Sequence, residues 1–273
     1  MTDQSESAAT PIAGIQDAFS SWAVYSKRSE ILVHLTHEGL QRIVTAPKIT
    51  QILHDAAGKE VPEQVAHAEK WKADQARREA ATNFTTVHSH ALLGLWGALE
   101  CLIDDITIAM IHAHPELLDS PEFEKVKIPV SVLTMTDTHA RSRLIYAEAA
   151  KNSKSDLTIG VGKFERILKL VNLSGAVPEK IRTAVFEAQQ IRNVFAHKGG
   201  KMDDKFVGHF PRRDYVVGDE LQIDFDTFSP LMHGIHMYAA VVINRYLVQI
   251  GKSPTTGGCA GYEGLLDDQR QCV

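Results

Sequence analysis

Apolar residues recur at every third or fourth position from residue 86 onward. Leu92, Leu95, Trp96, Leu99, Leu102, Ile103, Ile106 and Met110 form one stripe, the pattern of a helix with a buried face. Pro115, Pro121 and Pro129 then interrupt the pattern; lacking an amide donor, they predict a connecting excursion with room for short helices. Helical spacing resumes in "KFERILKLVNL", and Pro178 fits the first turn of a further helix with core positions Ile181, Val185, Ala188, Ile191 and Phe195. Gly199 and Gly200 predict where that helix stops. Beyond them, "RDYVVGDELQIDF" alternates around Gly218 and Asp219, as a small β-hairpin would. Leu231, Ile235, Tyr238, Val242 and Leu247 predict a last helix over about 227–250. Four principal helices imply an all-α bundle over 84–250, with a β-hairpin insertion before the last helix.

The earlier part of the chain is less regular. Residues 13–83 read as a helical N-terminal extension: "ILVHLTHEGLQRIV" and its surroundings have helical patches without a clean stripe. The charged, Ala-rich "VPEQVAHAEKWKADQARREAATNF" reads as a solvated or partner-facing helix. Residues 1–12 read as a disordered tail and 251–273 as a flexible, Gly-rich one.

Charge and cysteine content narrow the setting. A formal charge of -5 argues against a molecule basic over its whole surface, so any contact with phosphate must be local. Cys101, Cys259 and Cys272 are far apart and odd in number, which predicts no disulfide framework and favours a reducing cytoplasm. The N-terminus lacks the basic-then-apolar order of a secretory signal. The apolar run "ALLGLWGALECLIDDITIAMI" carries Glu100, Asp104 and Asp105, so it reads as a core helix and no membrane partner is expected. The 13 histidines suggest metal, but their spacing does not. His88 with His90, and His112 with His114, are two apart on helices and face apart; His34 with His37, and His233 with His236, lack a completing ligand. No metal and no cofactor are expected, and the chain has no phosphate-cradling or nucleophile-elbow motif.

The chemistry gathers in "QQIRNVFAHKGG". Asn193 and His197 are four apart, on a face away from the apolar stripe, whereas Arg192 projects near the stripe and needs an acidic partner. Glu100 and Asp104 on the preceding strong helix are the candidates, with Glu100 closer to its stripe. A plain structural reading makes Arg192 an interhelical ion pair and His197 a helix cap. Lys198, Lys201, Lys205, Arg212 and Arg213 outnumber Asp203 and Asp204 nearby, which suits RNA contact or a simply solvated loop.

Arg192, four intervening residues beginning with Asn193, and then His197 resemble the Arg-x4-6-His signature of HEPN domains. The long helix with "ALECLIDD", the motif ending a later helix, the short β-like insertion and the closing helix also resemble HEPN bundles of prokaryotic defence and toxin systems. The likeness spans about residues 84–250. It implies a homodimeric, metal-independent endoribonuclease of toxin or antiviral-defence type, with Arg192, Asn193 and His197 catalytic and an antitoxin or defence-system partner conceivable. The alternative it allows is a non-catalytic module for dimerisation or partner binding.

Overall fold

The computed structural model describes residues 11–124, 126–153 and 159–254. The expected tails fall outside this range apart from residues 11–12 and 251–254, and Cys259 and Cys272 lie outside it as well. All regular structure among the described residues is helical: α1 (Pro11–Ala56), α2 (Glu63–Ala81), α3 (Thr85–Ala113), α4 (Val130–Leu133), α5 (Thr138–Ser153), α6 (Val161–Lys169), α7 (Glu179–Lys198), α8 (Asp204–His209) and α9 (Phe225–Gln249). The broken patches expected early in the chain are thus one long helix, α1, which continues through Pro47.

The all-α expectation holds, but the β-hairpin does not: no β-strand occurs among the described residues. A turn does form at Gly218–Asp219, where the Asp219 amide bonds the Val216 carbonyl at 3.3 Å. The arm leaving the turn, however, pairs with the segment just after α7 instead of with the arm entering it. Gly218 N–H donates to Met202 O, Met202 N–H to Asp219 O and Leu221 N–H to Gly200 O, leaving a single antiparallel bridge, Lys201 to Glu220. The entering arm is instead drawn into an aromatic cluster, with Tyr215 against Phe206 and Phe210 at 5.3 and 6.1 Å. Alternation correctly marks Leu221 and Ile223 as inward; it carries no information about which segment they pair with.

The chain divides into two compact units. One comprises the described residues up to 25, 96–189 and those from 233 onward. Its core holds Leu99, Ile103 and Ile106 from α3, Ile181 and Val185 from α7, and Ile235 and Val242 from α9. The Phe164 ring lies 5.4 Å from Trp96 and 5.7 Å from Tyr238. α7 and α9 touch at Gly234, where an added Cβ would stand 2.4 Å from that of Ala184. In the same unit Arg245 donates to both oxygens of Glu165 and to the carbonyls of Leu173 and Ala176, while Tyr238 OH donates to Glu165 at 2.7 Å. This network ties the loop after α6 to α9.

The other unit comprises residues 26–95 and 190–232. Asn83 and Phe84 join α2 to α3 with φ of 55° and 60°, a left-handed conformation costly for a bulky residue. Phe84 is held by the His37 ring at 4.2 Å, and Glu79 accepts the Val87 amide at 3.1 Å in the first turn of α3. Thr85 Oγ1 accepts the Ile223 amide at 2.9 Å, which anchors the residues ahead of α9.

Candidate functional site

α7 brings Arg192, Asn193 and His197 together. It runs on helix-favouring residues up to Lys198 and then stops where Gly199 and Gly200 adopt φ of 60° and 86°, the left-handed cap that glycine adopts without steric cost. The Gly200 amide reaches back to Val194 O at 3.2 Å. His197 therefore lies in the last turn, exposed, with Arg192 and Asn193 half-buried behind it. From Arg192, Nη1 donates to Asn193 Oδ1 at 3.2 Å and contacts His197 Nε2 at 3.1 Å.

That second contact has one possible direction. A guanidinium can only donate, so the imidazole must present the lone pair of Nε2 and carry its proton on Nδ1. In this arrangement the Nε2 lone pair is spent on Arg192, so the ring acts on another group through Nε2 only once that contact is released. Both bonds from Arg192 end on uncharged acceptors, so its charge and its other N–H groups remain available to an anion.

The acids expected to answer Arg192 are engaged elsewhere. Glu100 accepts from Trp96 Nε1 at 3.0 Å and pairs with Lys163. Asp104 accepts the Tyr146 hydroxyl; burial raises its carboxyl above the usual range and raises the Tyr146 phenol too. The stripe of α7 also departs from expectation at its end. Val194 is buried and Phe195 only half-buried, so the buried face turns away from Arg192 over the last turn.

The basic run is exposed and interleaved with aromatic rings. Lys198 pairs with Asp203 at 3.4 Å, and Asp203 caps α8 by accepting the Phe206 amide at 2.9 Å. That amide, chiefly, and Lys198 hold the Asp203 carboxyl below its ordinary range. Arg213 donates to Tyr215 Oη at 2.9 Å, with its guanidinium 5.7 Å from the centre of the Phe210 ring. Lys201, Lys205 and Arg212 are exposed. No group of three or more potential metal ligands forms among the described residues, and no helix among them is long and apolar enough to cross a membrane.

Two features escaped the sequence pattern. One is a cleft of about 550 Å³ lined by Gly160, Gly162, Glu165, Gly175, Arg182 and Phe186 among others. The other is a pair of packed histidines, one buried and one half-buried. His88 is fully buried, gives its Nδ1 proton to Ile223 O at 2.7 Å and stacks on Phe228 at 4.9 Å; His37 meets it edge-on at 4.9 Å. Nε2 of each ring is buried without a hydrogen-bond partner, and burial lowers the pKa of both. Spacing of His88 from His90 signalled only that the two face apart. A further arginine and histidine at related spacing, Arg28 and His34 on α1, are both exposed, with the His34 ring 6.2 Å from Phe225.

Comparison with family models, with curated proteins and with solved structures finds no match for this chain.

Proposed function

We propose that the chain is a HEPN-like, metal-independent endoribonuclease of toxin or defence type. The observation that carries this reading is the hydrogen-bonded set of Arg192, Asn193 and His197 at the open end of α7, with a basic, aromatic-bearing segment following it in sequence. RNA supplies its own nucleophile. On RNA binding Arg192 Nη1 turns from His197 Nε2 to the phosphate, and the freed Nε2 takes the proton of a 2′-hydroxyl, whose oxygen attacks the adjacent phosphorus; the bond from phosphorus to the 5′-oxygen breaks, leaving a 2′,3′-cyclic phosphate and a 5′-hydroxyl. Arg192 neutralises charge growing on the phosphate oxygens, and Asn193 steadies Arg192. Lys198, Lys201, Lys205, Arg212 and Arg213 bind the RNA backbone. The departing 5′-oxygen needs a proton, and one His197 cannot both hold and give it in a single step; His197 of a second copy, protonated and turned away from its own Arg192, supplies it, which makes the active species a homodimer.

Incubating the purified protein with total RNA in EDTA tests this reading. Cleavage ending in cyclic phosphate, abolished in His197→Ala with the melting temperature unchanged, is the expected result. Intact RNA across several substrates, or full activity in His197→Ala, overturns it. The second reading, a non-catalytic dimerisation or partner-binding module, is favoured by the apolar side chains that α1 leaves exposed.

A further inference from the structure

α1 carries a face that no described residue of its own unit covers. Leu32, Leu35, Ile49 and Leu53 are 65%, 61%, 53% and 64% exposed, far more than scattered surface leucines require. With Gly39, Arg42 and Ala46 they follow the alternating three- and four-residue spacing of a coiled-coil seam. Val33, one position round the helix, is buried at 3%, so the helix already packs through a different side. At about 1.5 Å per residue the seam is roughly 30 Å long.

We propose that this face pairs with the same face of a second copy, the two α1 helices running antiparallel. The centre of the seam selects both the occupant and the direction. A Cβ on Gly39 would meet nothing within 4 Å, which leaves open space one position from the bulky, exposed Arg42. About a twofold axis between residues 40 and 41, Arg42 enters the space beside Gly39 of the second copy, Leu32 meets its Ile49, and Leu35 meets its Ala46. Arg42 then arrives next to Glu38 of the second copy. Within one chain Glu38 and Arg42 make only a loose 3.6 Å contact, with side chains 64% and 83% exposed, so both are available for a reciprocal pair. Parallel pairing would put Arg42 against Arg42 and Gly39 against Gly39, joining a like-charge clash to a void. The seam is complementary to itself in one direction only.

This inference does not depend on the role given to Arg192 and His197. Light scattering and sedimentation velocity on the full chain test it. The wild type runs at about twice 30.2 kDa, and Leu32→Glu and Leu35→Glu each run as single chains with unchanged circular dichroism, because both positions are exposed. Arg42→Glu and Glu38→Arg each weaken the dimer about tenfold, and the double substitution restores it. A wild type that stays a single chain, or binds only other proteins, overturns the proposal. So does a dimer that survives both leucine substitutions, which would place association elsewhere, including at the end of α7. Failure of the double charge swap to restore pairing overturns it equally.

Discussion

Arg245 and Arg192 are the same residue in opposite situations. In its unit, Arg245 is 16% exposed, faces a 17% exposed Glu165, and spends further N–H groups on two backbone carbonyls. Arg192, in the other unit, is half-buried and, among the described residues, bonded only to an amide oxygen and a ring nitrogen of its own helix. The first has its charge and donors answered by the protein, which makes it scaffold. The second keeps a charge that its surroundings have not neutralised, and such a group is poised for an anionic ligand. The same contrast separates the acids: Glu165 is enclosed by its partners, whereas Glu38 on α1 is left with a loose one.

The largest expected effect tests the scaffold side. Glu165→Ala strands a buried guanidinium and should lower stability by about 3–5 kcal/mol, read as the denaturant midpoint; a loss under 1 kcal/mol would place Arg245 among ordinary surface arginines. Next comes Gly234→Ala, which forces apart helices already in contact at Ala184 and should cost about 1–3 kcal/mol. Wild-type melting in that variant would show that α7 and α9 separate easily.

A pH series tests the packed histidines, His37 and His88. His37 and His88 have pKa values lowered by burial, so the unfolded chain binds protons more readily. Their contribution is complete above about pH 6.5, the unfolded value, and is lost as pH falls from there toward the folded values, by at most about 1.4 kcal/mol per pH unit for each ring. Thermal melts between pH 7.5 and pH 5 should show this acid-side slope, to about half its size in His88→Phe. An equal slope in His88→Phe would move the titration to another group.

The smallest effect belongs to Arg192→Ala. Without a buried carboxylate to strand, it should change stability by less than about 1 kcal/mol while abolishing RNA cleavage. A fall as large as that of Glu165→Ala would make the two arginines alike and return Arg192 to a structural role.

Where helices run was largely legible, and so was the exposed C-terminal position of His197. Helix hydrogen bonds close over four residues, so the stripe of α3, the stop at Gly199 and Gly200, and the last helix are written in neighbouring positions. α1 was harder to read: its burial is thin and its most regular apolar spacing faces outward, so the stripe test found no clean core face. The turn at Gly218 was legible because turn chemistry is local. Its pairing with residues 200–202 was not.

The sequence by itself determined that this chain is helical, where α7 ends, and that an arginine, an asparagine and a histidine share its last turns. Only the tertiary structure decided that Glu100 goes to Lys163 and Asp104 to Tyr146, that Arg192 bonds uncharged neighbours, and that His37 and His88 stack with orphaned nitrogens. The physical reason is distance along the chain. Backbone periodicity is set between residues a few positions apart, whereas the choice among competing side-chain partners depends on which distant segments meet and how much water they exclude.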